Sequence, residues 1–266
     1  MKKLLVDESH TDYLAGQFSY LALRSLDYDA FDGFLKRGIR AQDSPHLVEA
    51  FREATRWDHT LFLEVLLPRS PSVRSIFLKK SKILDVGSGT GGWIFRMGES
   101  FPLPHYTGIE SDAVAIEMAT KRARQGGPSS VRFMKGNVEK MTIPREFDLV
   151  YLGEVLCVTH RRPQIVRRCF EALKPNGYLV VGEGLLDERS SGEPIGGLMR
   201  GMQLDFALLG AGFLSRIQLT DLLRGAGFRG LRFVSAGGGF WFVVARRRRA
   251  GCELVASDVL PSKEET

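Results

Sequence analysis

A doubly wound α/β fold, with a mainly parallel sheet closed by an antiparallel hairpin and preceded by a helical extension, is what this sequence predicts. Three observations carry the prediction. From Lys82 onward, short apolar runs ("KILDV", "HYTGIE", "VRFMKG", "FDLVYL", "GYLVVGE") alternate with segments of helical character. That alternation marks βαβ units and a parallel sheet covered on both faces. Near the end, "LRFVSAGGGFWFVVARR" holds two strands around a glycine turn, which makes an antiparallel pair. Before Lys82, apolar residues recur at steps of three and four, the spacing of a helix face.

The extension covers residues 1–80. Its first candidate helix, "YLAGQFSYLALRSL", contains Gly16, which weakens a helix interior. A second runs from Pro45 to Leu67, with Leu47, Phe51, Ala54, Trp57, Leu61 and Val65 on one face. Ser44 and Pro45 supply its start and Pro68 its stop. Tyr13, Phe18, Tyr20 and Trp57 are open to two readings, rings over a cation or ordinary packing. The α/β domain covers residues 81–248. Its second strand leads into a helix capped by Ser111 or Asp112, with Ala115, Met118 and Ala119 inward. "LKPNGYLVV" reads as a helix end, a turn and a buried strand, and Glu183 ends that strand. Residues 193–212, rich in Gly, Leu and Met, predict a helical insertion over the carboxyl edge of the sheet, and 249–266 a polar tail.

A chain of 266 residues that is 44% hydrophobic and 26% charged belongs with globular proteins. The net charge of +6 is spread along the chain, and the one dense run, Arg246–Arg249, reads as a solvated terminus. Phosphate binders organise charge on one face, so a nucleic-acid partner is not expected. Cys157, Cys169 and Cys252 form no CxxC pair, which fits a reducing compartment and no metal site. The apolar part of the opening is only Leu4–Val6, too short for an export signal or a membrane span. A cytoplasmic protein without membrane contact is the expectation; no residue pattern speaks to oligomeric state.

Function turns on "KILDVGSGTGGW". Gly87, Gly89 and Gly92 stand at the spacing G-x-G-x-x-G of a dinucleotide-binding loop. Glu110 follows Gly87 by 23 residues (110 − 87) and suits the ribose hydroxyls of any nucleoside cofactor. Asp85, however, sits two positions before the first glycine, where a carboxylate repels a pyrophosphate and suits an ammonium.

These residues resemble the class I S-adenosylmethionine (SAM)-dependent methyltransferases. Asp85, Gly87, Gly89 and Gly91 match their D-x-G-x-G-x-G motif; "YTGIESD", ending its strand in Glu110, "VRFMKGNVEKM", "FDLVYLGEVL" and "LKPNGYLVVGE" resemble the segments that follow. The chain is similar, more narrowly, to bacterial small-molecule enzymes of this group with an N-terminal helical extension. The resemblance implies a seven-stranded sheet whose last strand is antiparallel, SAM as cofactor and S-adenosylhomocysteine as product. It implies a cofactor site of Asp85, Gly87, Ser88, Gly89, Gly91, Trp93, Glu110, Ser111, Asn137, Val138, Leu152 and Gly153. Asn137 would hydrogen-bond the adenine amino group and Val138 flank the ring. After the fourth strand, Glu154 and His160 are the titratable candidates for a general base.

Missing motifs narrow the reaction. Residues 152–155 read Leu-Gly-Glu-Val where amino-methylases of nucleobases carry D/N-P-P-Y/F, and no Pro-Cys occurs for cytosine C5 chemistry. No paired glutamates of the protein-arginine type and no magnesium-binding acid cluster are present. The expectation is metal-independent methylation of a small molecule at O, N, S or C. The rival readings are a non-catalytic SAM-binding regulatory module, an NAD(P)-dependent oxidoreductase, and a nucleic-acid or protein methyltransferase.

Overall fold

In the computed structural model, the alternation of side chains along each strand sorts the two faces of the sheet. It describes residues 2–7, 10–11, 13–28, 45–128, 130–186, 203, 206–207 and 211–248. In β1 (Lys82–Val86), Ile83 joins Tyr106, Leu149 and Val180 on one face, while Leu84 joins Val150, Leu179 and Val243 on the other. Both faces are covered, which is why these strands read as nearly continuous apolar runs.

The remaining strands are β2 (His105–Glu110), β3 (Val131–Lys135), β4 (Phe147–Gly153), β5 (Leu173–Leu186), β6 (Leu214–Ser215), β7 (Arg229–Gly237) and β8 (Phe240–Arg246). Their order is β3-β2-β1-β4-β5-β8-β7, with the short β6 paired to the end of β5. The first five strands are parallel and β8 is antiparallel to both neighbours. The mainly parallel, doubly wound sheet expected from the sequence is therefore present, with β6 as an eighth strand the sequence did not signal. The chain reverses direction across the sheet between β1 and β4, and the crevice outside that point is where open α/β sheets take ligands.

Helices Arg162–Ala172 and Arg216–Gly225 cover the Leu84 face with Ile165, Val166, Leu219 and Leu223. Helix Gly92–Ser100 and the segment from Leu61 to Phe77 cover the other. At the middle of that second core, fully buried Phe62 meets Phe77, Trp93, Tyr151 and Phe242 edge-on, with ring centroids 5.7, 5.1, 5.4 and 5.7 Å away. Of the two cap candidates after β2, Asp112 is the cap: its Oδ1 accepts the Ala115 N–H at 2.7 Å. Gly237, Gly238 and Gly239 turn the β7–β8 hairpin.

The extension departs from its predicted outline. Instead of one helix ending at Pro68, there are helices Pro45–Ala54 and Arg56–Leu61, a π-helical turn Phe62–Leu66 and a last turn Leu67–Arg69. Pro68 sits in the first turn of that last piece, a position that tolerates proline, so the helical chain runs two residues past Leu67, to Arg69. The candidate helix containing Gly16 exists as Ala15–Tyr28 and packs on Pro45–Ala54. A Cβ at Gly16 would collide with the Glu53 carbonyl, so glycine here is what lets the two helices touch. Most of the predicted insertion 193–212, and the tail 249–266, lie outside the described residues. Within the former, Phe206 packs edge-on against Phe213 at 5.0 Å, and the Gly212 N–H donates to the Cys157 carbonyl at 2.9 Å.

Candidate active site

The glycine loop follows β1 with positive φ at Gly87, Gly89 and Gly91 (74°, 52° and 78°). A Cβ at Gly89 would meet nothing within 4 Å, so the backbone there borders open space. Gly92, the third glycine of the dinucleotide spacing, has a different purpose. A Cβ on it would stand 2.9 Å from Cε1 of His59, a side chain of helix Arg56–Leu61. Its bareness is clearance for the extension and carries no signal of a phosphate.

The open space is a cavity of about 490 Å³ at the carboxyl ends of β1, β2 and β4. It is lined by Asp85, Gly87, Ser88, Gly89, Trp93, Glu110, Ser111, Asn137, Val138, Gly153 and Glu154 among the residues singled out from sequence. Three others stand apart. Gly91 caps helix Gly92–Ser100, Leu152 is fully buried in the core beneath, and His160 is exposed just ahead of helix Arg162–Ala172. The facing wall comes from the extension: Tyr20, Phe51, Arg52, Thr55, Asp58 and His59. Trp93 stacks on Tyr151, with centroids 4.3 Å apart and planes 17° from parallel.

Backbone amides hold the acids at the loop. Glu110 accepts the Gly89 N–H on Oε2 at 2.9 Å, and those of Ser111 and Asp112 on Oε1 at 2.6 and 2.8 Å. Asn137 accepts the Glu139 N–H on Oδ1 at 2.9 Å, and a carbonyl oxygen has a second lone pair for another donor. Two buried polar atoms on this wall, Ser88 Oγ and Trp93 Nε1, have no partner among the described residues.

Burial, with the nearby Glu110 charge, pushes the Asp85 carboxyl well above the usual range. Asp58 is likewise raised by burial and then by Glu154 and Glu183, and its side chain is hydrogen-bonded to that of Glu154. Burial carries Glu154 up to about 7, while the Asp58 hydrogen bond pulls it down. Glu183 lies behind the wall and reaches about 8, again through burial, although its Oε1 accepts the Leu156 N–H at 2.6 Å. Burial, with Arg56, Arg96, Arg52 and Arg122 around it, pushes His59 down to about 3, which makes it a neutral imidazole at physiological pH. The backbone of Glu154 is left-handed, φ 51°, with its N–H donating to the Gly182 carbonyl at 2.9 Å. Cys157 is a buried thiol that burial pushes upward, the setting of a packing side chain.

Asp58 and His59 were not singled out from the sequence. Their stretch, "RWDHT", reads as part of an apolar helical stripe. The one available signal was a pair of titratable residues set between core positions, and nothing local says which loop they face.

Residues 78–191 match a family model described as a methyltransferase domain. A methyltransferase of Strobilurus tenacellus is 33% identical over 104 residues, 38% of this chain and 35% of that protein. The chain thus spans about a third of that relative's length. Among solved structures, an O-methyltransferase family protein from Burkholderia thailandensis superposes with a TM-score of 0.67 at 15% identity, over 94% of this chain and 76% of that one. Human N-acetylserotonin methyltransferase, solved in complex with SAM, gives 0.64 at 21% identity, over 77% and 56%. At such identities the likeness is one of fold. The matched stretch and the strand order together give residues 78–191 the likeness of a methyltransferase domain on a doubly wound α/β fold.

Proposed function

We propose that this protein transfers a methyl group from SAM to a small-molecule acceptor and releases S-adenosylhomocysteine. The observation that carries the reading is the cavity wall itself. It brings Asp85 and Glu110 into one cavity with the open backbone at Gly89, and there Ser88 Oγ and Trp93 Nε1 are buried without a partner among the described residues. That donor and acceptor set fits SAM. Asp85 suits the ammonium of its amino-acid part and Glu110 the ribose hydroxyls, while Asn137 and Val138 suit the adenine. Bound there, the cofactor supplies an electrophilic methyl group on a cationic sulfur.

The rest of the cavity has a different character. Val48, Phe51, Tyr20, Val155 and Val158 give it apolar walls suited to the body of an organic acceptor. Helices ahead of residue 80 serve as a cap on the 81–248 domain in this reading, excluding water and aligning the acceptor. Proton transfer falls to Glu154 on the cavity wall, since His160 stands clear of it. Buried, unpaired Cys157 and Cys169 suit a reducing, cytoplasmic setting. Among the described residues no helix is long and apolar enough to cross a membrane.

Titration calorimetry with SAM, S-adenosylhomocysteine and NADH tests the assignment. SAM and its product are expected to bind, and Asp85→Ala and Glu110→Ala each to weaken binding by about 1–3 kcal/mol, because each leaves polar cofactor groups unpaired. Binding of NADH with no response to SAM would overturn it.

A further inference from the structure

We propose that Glu154, hydrogen-bonded by the carboxyl of Asp58, accepts the proton of an amine substrate that enters the cavity as its ammonium ion. The inference rests on the methyltransferase reading above and names its acceptor class. Asp58 comes from helix Arg56–Leu61 and Glu154 from the turn after β4, so only the tertiary fold makes the pair. Both line the cavity, beside the Trp93–Tyr151 stack and the unpartnered Trp93 Nε1. Two carboxyls in hydrogen-bond contact cannot both be ionised, so the pair holds one proton and one negative charge. Asp58, buried to 3% exposure, keeps the proton and Glu154 the charge. The left-handed backbone of Glu154 is a local strain that no glycine relieves, and such outliers gather where a side chain must be aimed.

Charge selects the acceptor. Glu110, Asp112, Glu139 and the one negative charge of the Asp58–Glu154 pair line the cavity; among the described lining residues the guanidinium is that of Arg52, while Arg56, Arg96 and Arg122 gather about the neutral His59. An oxyanion forming in such surroundings is disfavoured, whereas an ammonium is drawn in and attracted by the adjacent rings. The groups facing the pair are Glu183, Asp85, Tyr151 and Cys157 from the sheet side and His59 from its own helix, with Arg162 acting on Glu183. None of them offers the pair a permanent positive charge at contact.

In the step, one N–H proton of the ammonium passes to the Glu154 carboxylate. The freed nitrogen lone pair forms the bond to the methyl carbon as the carbon–sulfur bond breaks, and that electron pair stays on sulfur. The methylated ammonium leaves, and Glu154 returns its proton to solvent.

The test uses the full chain with SAM and a panel of arylalkyl amines beside alcohols and phenols of matched skeleton. Amines alone are expected to be methylated, with a rate that rises with pH through about 7 as Glu154 ionises. Glu154→Gln is expected to lower kcat about 10²- to 10⁴-fold with SAM affinity retained. Asp58→Ala removes the hydrogen bond that holds Glu154 down, so the acid limb of its pH profile moves upward; Asp58→Asn, whose amide still donates, moves it back. A second readout needs no cofactor: ¹³C NMR of labelled carboxyls should show a glutamate titrating near 7 that vanishes in Glu154→Gln. Methylation of phenols but not amines, an unchanged pH profile in Asp58→Ala, or no such titration overturns the inference. Failure of SAM to bind overturns the methyltransferase reading instead, and leaves the carboxyl titration to decide the pair by itself.

Discussion

Glu183 shows what a single buried acid does to the whole protein's response to pH. Its carboxyl titrates near 4.5 in an ordinary setting and near 8 in the fold, because burial penalises the charge. The folded state therefore binds more protons than the unfolded chain across that window. The stability this group confers is fully present below the ordinary glutamate range and is lost as pH rises through about 8. Glu154, near 7, acts with the same sign. We expect the melting temperature to fall between mildly acid and mildly alkaline pH, and Glu183→Gln to flatten the fall, since its amide oxygen still accepts the Leu156 N–H. An identical slope in wild type and variant would refute this. At the residue scale, the sequence made Asp85 and Glu110 readable because each sits at a strand end beside a loop of known geometry. Asp58 and His59 were unreadable for the opposite reason: they meet the loop only through helix packing, across Gly92 and Glu154.

Gly16 carries the corresponding lesson for elements. Read locally, a glycine inside a helix is a weakness of about 0.5–1 kcal/mol relative to alanine. Read in the fold, it is the contact point of Ala15–Tyr28 with Pro45–Ala54, at the backbone of Glu53. Propensity and packing thus predict opposite signs for Gly16→Ala. Packing should win, at a cost of about 1–3 kcal/mol as the helices are forced apart and the Tyr20–Ala50 contact loosens. Gly225→Ala is the control: a Cβ there meets nothing within 4 Å, so neutral or slightly raised stability is expected. Limited proteolysis of the helix pair alongside thermal melting would separate the two variants, and a stabilised Gly16→Ala would show that the helices do not touch there. Strands and the closing hairpin were legible element by element because burial on two faces leaves an unbroken apolar run. The π-helical turn at Phe62–Leu66 was not, since the same spacing of apolar residues serves either kind of helix.

For the molecule as a whole, the sequence announced a sheet and an extension but not how they join. Phe62 is the joint: a fully buried ring from the extension that meets Trp93 of the glycine-loop helix, Tyr151 of β4 and Phe242 of β8. Phe62→Ala should cost about 3–5 kcal/mol, the range for removing a buried aromatic ring. It should also lower SAM affinity, because Trp93 and Tyr151 lose the ring that fixes their stack. Chemical denaturation and calorimetry on the same preparation would check both, and lost stability with unchanged affinity would confine the joint to a structural role.

The cavity has a further consequence, because its two walls come from different parts of the chain. Tyr20 and Phe51 belong to a helix pair with a small core of its own, and Asp85 and Trp93 to the sheet and its first helix. A ligand that fills the space touches both walls, so docking of the helices and occupancy of the site become one equilibrium. A ligand at a hundred times its Kd adds about 2.7 kcal/mol to the folded state, and part of that gain belongs to the seating of the helix pair. Occupancy of the cavity then acts as a structural variable: the ligand-free protein would hold this helix pair less firmly seated than the filled one.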